Sequence, residues 1–337
     1  MTKGTKAFRI IISILLALCI CATVILFVET YYHSMVVINQ EEYGLVVAGV
    51  VVTRENEDDI LGDGTVSYDP FYNILYFENA EIESDQSIVA TVKDIGICLV
   101  GENRFISSSS GYMPLIYAVD SFLDKDIYIF GDGSLTIEYL NACADSSIIQ
   151  CADLTILSDI TISTPDCTNI SNGIVCDSSF KLFNGATITI NSGVSKSVAA
   201  FRVRGNAILE AGTAINITVK EGSEECAKGI SVNGDLIIGD GASVNVSVEE
   251  DSATLVECVR VNGLIDVGAG AALTASTAKS YAVECYGAIK LCDNAVLSAA
   301  SEDSEADVIC YGAVANYGAD VNGEIEALGQ IYDKSEK

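Results

Sequence analysis

The sequence predicts an all-β protein: a parallel β-helix, or solenoid, of about ten coils that follows one N-terminal transmembrane helix. Three observations lead to this prediction: a repeat of 24 to 30 residues, a Gly or Asn turn at a fixed place in the repeat, and no amphipathic helical segment within a repeat. Strands this short bury their apolar side chains only by pairing with the copy in the next repeat. Such pairing winds the chain into stacked parallel sheets around a common interior.

The repeat is clearest from Asn206 to Gly263, where two units of 29 residues both end in Val-Asn-Gly. Each unit contains three short strands with alternating apolar residues, and the last inward position recurs every 24 to 29 residues. A β-sandwich, the main alternative, does not require one shared turn in every unit. The inward positions predicted for the third strand are Cys151, Cys176, Val203, Val232, Val261, Cys285 and Cys310.

A backbone corner precedes the second strand of each unit. Gly and Asn are expected there because they enter the left-handed backbone region at low cost. The predicted corner pairs are Glu78-Asn79, Glu102-Asn103, Asp132-Gly133, Asn184-Gly185, Ala211-Gly212, Asp240-Gly241, Ala269-Gly270, Asp293-Asn294 and Tyr317-Gly318, with a weaker one at Ser158-Asp159. The inward positions that follow the later corners are Ile188 and Ile190, Ile215 and Ile217, Val244 and Val246, Leu273 and Ala275, and Leu297 and Ala299.

The N-terminal segment is predicted to anchor the protein in the bacterial cell membrane. Residues 10–28 are 19 uncharged residues, and a helix of that length spans about 28 Å, enough to cross a bilayer. Lys3, Lys6 and Arg9 precede it, which predicts that residues 1–9 are cytoplasmic and that the bulk of the chain is extracellular. A cleaved secretory signal and a lipoprotein signal are the alternatives.

The remaining boundaries follow from the repeat. Residues 31–72 come before the first clear coil and are predicted to form a β-rich cap, since an open coil exposes unpaired strand edges. Residues 73–330 are the predicted β-helix, and residues 331–337 are a polar tail.

Composition removes several classes of function. The formal net charge is −29, with 47 acidic against 18 basic residues, which would repel a phosphate backbone and excludes nucleic acid as a partner. The only histidine, His33, lies near the hydrophobic segment. Histidine-based acid–base or metal chemistry is therefore excluded from the main body of the protein.

The corner residues suggest a metal site. Glu78, Glu102 and Asp132 would stack in successive coils about 5 Å apart, and oxygen ligands at that spacing could hold Ca²⁺. The alternative is that these acidic residues simply occupy exposed turns, whose geometry they favour.

A ligand-binding face is predicted beside the third strand, where outward residues alternate with the inward ladder. Arginine pairs with carboxylates, Asn bonds to hydroxyls and Tyr rings stack on sugars, so these residues suit an acidic glycan. The alternative is local ion pairing with Glu225, Glu257 or Glu284, together with asparagine laddering. The predicted ligand-binding residues are Arg202, Arg204, Asn233, Arg260, Asn262, Tyr286 and Tyr311.

Ten cysteines lie outside the hydrophobic segment, and the inward ladder predicts buried thiols for several of them rather than disulfides. Stacked cysteines in neighbouring coils point in parallel, which fits a disulfide torsion poorly. One or two disulfides in turns remain an alternative. No Cys-x-x-Cys motif or Cys/His cluster indicates a metal site.

The segment that begins GLVVAGVVVTRENEDDILGDGTVSYDP at Gly44 resembles a family of bacterial surface proteins with pectate-lyase-like, right-handed β-helices. The signature V-T-x-x-N-x-x-D-I-x-G-D-G-T-V-S-Y-D runs from Val52 to Asp69, and the resemblance covers Val36 to Gly329. Some relatives are described as carbohydrate-binding domains. The resemblance therefore implies an exported protein that binds polysaccharide, and it carries over no catalytic residues.

Three functions remain open at this point. The first is a non-catalytic, membrane-anchored protein that binds polysaccharide or cell-surface glycans. The second is a polysaccharide lyase or hydrolase of the same fold, and the third is a protein-binding adhesin or spacer. Fold alone does not choose among them.

Overall fold

The computed structural model describes residues 43–108, 113–120, 123–139, 146–164, 170–193, 197–220, 225–249, 255–302, 304 and 306–333. Over these residues the chain is an all-β parallel solenoid of about 8 turns, and they include no helix. The all-β solenoid prediction is thus confirmed. The segment predicted to be a membrane anchor, residues 10–28, lies outside the described residues.

The strands are short and regularly spaced. The first six are β1 Leu45–Val47, β2 Val50–Val51, β3 Val66–Asp69, β4 Ile74–Glu78, β5 Glu81–Ser84 and β6 Val89–Thr91. The next thirteen are β7 Ile95–Val100, β8 Glu102–Ser107, β9 Ile116–Asp120, β10 Leu123–Asp124, β11 Ile127–Gly131, β12 Ser134–Tyr139, β13 Ser146–Cys151, β14 Leu154–Ile156, β15 Asp159–Thr164, β16 Ile170–Cys176, β17 Phe180–Leu182, β18 Thr187–Ser192 and β19 Ser197–Val203. The remainder are β20 Ala207–Leu209, β21 Ala214–Val219, β22 Cys226–Val232, β23 Leu236–Ile238, β24 Ser243–Val248, β25 Leu255–Val261, β26 Ile265–Val267, β27 Ala272–Thr277, β28 Val283–Cys285, β29 Ile289–Leu291, β30 Val296–Ser301, β31 Val308–Cys310, β32 Val314–Asn316, β33 Asp320–Asn322, β34 Ile325–Ala327 and β35 Ile331–Asp333.

These strands form three sheets that run the length of the rod. Sheet I has the order β2-β1-β6-β9-β13-β16-β19-β22-β25-β28-β31-β34, with β10 beside β9. Sheet II has the order β3-β4-β7-β11-β14-β17-β20-β23-β26-β29-β32-β35. Sheet III has the order β5-β8-β12-β15-β18-β21-β24-β27-β30-β33. Each turn of the solenoid therefore supplies one strand to each sheet.

The number of turns differs from the ten that the repeat predicted. About 8 consecutive turns, from β7–β9 to β29–β31, have a parallel neighbour on both sides of all three strands. In each outermost repeat, at least two strands have a parallel neighbour on one side only. The estimate of ten included these end units, because their sequences match the repeat, although they do not form complete internal turns.

Antiparallel strands begin two of the three sheets. β1 pairs antiparallel with both β2 and β6, and β3 pairs antiparallel with β4. These strands satisfy backbone groups that the first parallel strands of sheets I and II would otherwise leave exposed at an edge.

Among the described residues, none forms a helix long and apolar enough to cross a bilayer.

The inward ladders have the predicted register. Cys176 pairs with Val203, Val203 with Val232, and Val261 with Cys285. The same strict alternation of buried and partly exposed residues holds in sheet III, because side chains alternate across a strand. All of these inward residues belong to one continuous apolar core.

Most of the predicted corners are also confirmed. Positive φ angles occur at Asn79, Gly185, Gly212, Gly241, Gly270, Asn294 and Gly318. Two early corners were predicted two residues too late, since Gly101 and Gly131 take the left-handed conformation instead of Asn103 and Gly133. The weaker corner predicted at Ser158-Asp159 is wrong, because neither residue has a positive φ angle. Asn103 is buried, and its side chain accepts a 2.9 Å hydrogen bond from the Ala80 amide. An Asn that resembled a corner in the sequence thus bonds to the neighbouring turn.

Acidic turn residues have a structural role between sheets I and II. Asp94 accepts a 3.0 Å hydrogen bond from the Asp126 amide, and Asp126 accepts one of 3.1 Å from the Asp153 amide, each in the following turn. Asp235 accepts one of 2.8 Å from the Leu264 amide in the same way. These carboxylates bind successive turns together, which accounts for part of the large negative charge.

The four cysteines of the inward ladder are buried thiols, as predicted: Cys151, Cys176, Cys285 and Cys310. Cys258, which the ladder did not place, is also a buried thiol. Burial raises the pKa of the Cys258 thiol to about 12, so it stays neutral in the core. Cys143 and Cys167 lie outside the described residues.

Candidate functional site

The predicted ligand-binding residues lie on the outer face of sheet I. In one column Arg202 pairs with Ser231, Ser231 with Arg260, and Arg260 with Glu284. Arg202 and Arg260 are therefore two turns apart, about 10 Å, as the repeat predicted.

The adjacent column contains the residue that directly follows the last inward residue of each third strand. The backbone amides of four such residues each donate to the backbone carbonyl of the inward residue in the preceding turn, which extends the parallel pairing by one residue. These four are Asn233, Asn262, Tyr286 and Tyr311. Arg204 occupies the same position one turn before Asn233. The structure thus brings all seven predicted residues onto one face, in two neighbouring columns.

Arg260 is held by acidic neighbours. Its guanidinium pairs with Glu257, which is only 6% exposed, and lies 3.9 Å from Glu284. Glu257 also pairs with Lys228 at 2.8 Å. The alternative of local ion pairing therefore describes Arg260 correctly, and a ligand that bound Arg260 would have to compete with the buried Glu257 carboxylate.

Asparagine laddering is also present. Asn262 donates a 3.4 Å hydrogen bond from its side-chain amide to the side-chain oxygen of Asn233 in the preceding turn. The pair uses one donor and one acceptor, so the amides keep further hydrogen-bonding capacity on the exposed side.

The two tyrosines are arranged differently from the expectation that their rings would stack on sugars. Tyr286 and Tyr311 stack on one another, with ring centroids 4.7 Å apart and an interplanar angle of 8°. The Arg260 guanidinium lies 5.0 Å from the Tyr286 centroid, and the Tyr286 hydroxyl donates to Glu284 at 2.8 Å. Stacking along the rod covers the faces of the Tyr286 ring, so that ring presents its edge and hydroxyl to solvent.

Two arginines remain accessible on this face. Arg204 has a side chain 52% exposed and pairs with Asp177 at 2.7 Å. Arg202 is exposed, and its guanidinium has no ion pair or hydrogen bond with another described residue. With Lys228 and Arg260, they place four basic side chains in three consecutive turns, in a chain that has only 18 basic residues. Arg202, Arg204, Lys228 and Arg260 together form the cationic strip.

A pair of carboxyl groups lies at one end of the cationic strip and was not predicted from the sequence. Asp124, on β10, lies beside Asp177, with Gln150 and Arg204 close by. Burial, followed by the hydrogen bond and negative charge of Asp177, raises the pKa of Asp124 to about 7, whereas Gln150 and Arg204 oppose the shift. Because β10 is an excursion outside the repeat, no repeat column could have placed Asp124 here.

The pair predicts a specific pH dependence. The pKa of Asp124 is raised in the folded protein, so between about pH 4 and 7 the native state binds more protons than the unfolded state, and stability falls as pH rises. Asp124→Asn is expected to remove this part of the decline. Urea unfolding midpoints at pH 5 and pH 8 should differ less for the variant than for the wild type. Equal differences in the two proteins would contradict the raised pKa.

The predicted stacking of Glu78, Glu102 and Asp132 as calcium ligands is wrong. The register pairs Glu78 with Val100 in sheet II and Glu102 with Ser134 in sheet III, so these two carboxylates belong to different sheets. The error follows from the misplaced early corners. Within the described ranges, no group of three or more His, Cys, Asp and Glu side chains is placed to hold a metal ion.

Sequence reasoning also missed Lys228, although a signal existed. Lys228 stands 29 residues before Glu257, one repeat length away, and the two residues pair in the register of β22 and β25. Comparing charged residues one repeat apart would have found this ion pair.

Fold and site together define an all-β parallel solenoid with a cationic strip on one sheet. No family model matches the chain, and neither a curated protein nor a solved structure matches it significantly.

Proposed function

We propose that this protein is an exported, membrane-anchored β-solenoid that binds an acidic polysaccharide along the outer face of sheet I without catalysing a reaction. In this proposal the rod is right-handed and belongs to the pectate-lyase-like superfamily, and residues 10–28 hold it on the bacterial surface. The observation that carries the proposal is the cationic strip formed by Arg202, Arg204, Lys228 and Arg260 on an otherwise strongly acidic chain.

Arg202 and Arg204 are the primary contacts. Both are exposed, both lie on β19 or directly after it, and Arg202 has no competing partner among the described residues. A guanidinium binds a carboxylate through two parallel hydrogen bonds, which suits the uronate groups of an acidic glycan. Asn233 and Asn262 continue the face with amides that can bond to sugar hydroxyls. Lys228 and Arg260 contribute charge rather than direct contact, because Glu257 holds both.

Replacing both arginines tests this proposal. The Arg202→Ala/Arg204→Ala variant is expected to bind polygalacturonate or alginate at least about tenfold more weakly than the wild type, since each charge-assisted hydrogen bond contributes about 1.5–3 kcal/mol. Wild-type binding should also weaken as salt rises. Isothermal titration of the full-length chain measures both effects.

Arg104→Ala is the matched control for this test. Arg104 is an exposed arginine that pairs with Glu81 and Glu138 at 2.7 Å each. It lies on sheet III, whereas the cationic strip lies on sheet I. It should leave affinity for the acidic glycans unchanged. Equal affinity of the wild type and the double variant would overturn the proposal.

A further inference from the structure

A groove of about 440 Å³ lies on the outer face of sheet II, near the N-terminal end of the solenoid. It is formed by β4, β7 and β11 together with the turn before β4. This face is a different one from the cationic strip on sheet I. Its volume is within the range of about 300–1,000 Å³ that is typical of small-molecule sites.

Gly96 lies on the floor of the groove. In the outer column of sheet II, Gly96 pairs with Ile74 on one side and with Tyr128 on the other, so the column lacks a side chain between two large ones. A Cβ atom at Gly96 would lie 3.2 Å from Ile74 Cγ1 and 3.2 Å from Phe130 Cε1. Any larger residue at this position would therefore fill the floor of the groove.

Aromatic rings form the walls. Tyr72 is 68% exposed and Tyr128 is 42% exposed. Phe71 meets Tyr72 edge-on at 89°, and Phe130 is tilted by 41° against Tyr128. Among the described residues, neither tyrosine has a parallel ring stacked on its face, in contrast to Tyr286 and Tyr311. Exposed aromatic surface concentrated in one groove is typical of a binding site.

Hydrogen-bond acceptors stand at the rim. Asp94 and Asp126 each use one carboxylate oxygen to accept an amide hydrogen bond from the next turn, which fixes both side chains. Their second oxygens form no hydrogen bond with other described residues, so they are available to hydroxyl donors. None of the described residues that line the groove is cationic. This charge pattern disfavours acidic ligands and suits neutral molecules that carry many hydroxyl groups.

We propose that this groove, lined by Tyr72, Gly96, Tyr128 and Phe130 with Asp94 and Asp126 at its rim, binds neutral hexopyranose units of a glycan. The apolar face of a pyranose ring packs on an aromatic ring, and its hydroxyls donate to the two carboxylates. The site does not depend on the cationic strip, which selects acidic glycans on another sheet. The protein would then hold two chemically distinct glycans on two faces of one rod.

The test uses neutral hexasaccharides of glucose, mannose and N-acetylglucosamine as probes in isothermal titration of the full-length chain. The wild type is expected to bind at least one of them. Tyr72→Ala and Tyr128→Ala should each weaken that binding by at least about tenfold, the loss typical of removing a central aromatic contact. Because both side chains are exposed, thermal unfolding of the variants should match the wild type.

Tyr311→Ala is the matched control, since Tyr311 is 40% exposed and lies on sheet I. It should leave neutral binding unchanged, as should Arg202→Ala/Arg204→Ala, which separates this site from the acidic one. Failure of the wild type to bind any of the three probes would overturn the proposal, and so would equal losses in Tyr128→Ala and Tyr311→Ala.

Discussion

Phe201→Ala is expected to lower the free energy of unfolding by about 3–5 kcal/mol, the range for a buried aromatic truncated to alanine. Phe201 is 1% exposed and Phe180 is 0% exposed. Their rings meet edge-on at 4.8 Å and 90° inside the solenoid. The truncation therefore removes an aromatic contact as well as buried apolar area.

The cavity left by this substitution should persist. Phe201 pairs with Ile174 in the preceding turn and with Ile230 in the following one, and the ladder hydrogen bonds of sheet I fix the spacing of these strands. Because the turns cannot move closer to one another, the walls of the cavity relax little. The loss in the free energy of unfolding should therefore lie in the upper part of the range.

Urea unfolding measures the effect, with Phe201→Ile as the control. Isoleucine is the residue that the same rung carries in both neighbouring turns, so it should fit the ladder and cost clearly less than alanine. An unfolding midpoint for Phe201→Ala equal to that of the wild type would show that this interior contact does not form.

The repeat made the inward ladders predictable from the sequence. Side chains alternate strictly along a strand, so one inward residue such as Val232 determines which of its neighbours in the strand point inward. The length of the repeat then determines that Val232 pairs with Val261 in the next turn. The early corners were harder to place, because Gly101 comes directly before Glu102-Asn103 and either position satisfies a Gly-or-Asn rule.

The chemistry of the outer faces was less predictable. A column assignment placed Tyr286 and Tyr311 together, but it did not show that their rings would cover one another. The groove at Gly96 was also missed, since a glycine inside a strand usually indicates a weak or bulged strand. Its effect here depends on Ile74 and Tyr128, which flank Gly96 only after the turns have stacked.

Gly287→Ala is expected to lower the free energy of unfolding by about 1–3 kcal/mol or more, the cost of forcing extra atoms into a filled space. Gly287 lies in the turn between sheets I and II, where a glycine recurs in successive turns. A Cβ atom at Gly287 would be closer than 3.0 Å to the Gly263 carbonyl, and one at Gly312 equally close to the Gly287 carbonyl. Because these are backbone atoms, no side chain can move away to make room.

Gly270→Asn separates this packing requirement from the conformational one. Gly270 has a φ of +63° with nothing within 4 Å of its Cβ position, and Asn294 has a φ of 56° at the corner of the following turn. Asparagine should therefore be tolerated at Gly270 at a cost below about 1 kcal/mol. Urea midpoints of the two variants should differ clearly; equal midpoints would mean that the turns do not approach as closely as the Gly263–Gly287–Gly312 stack requires. The final glycine of each Val-Asn-Gly motif is thus explained by contact between turns, whereas the corner glycine is explained by its backbone angle.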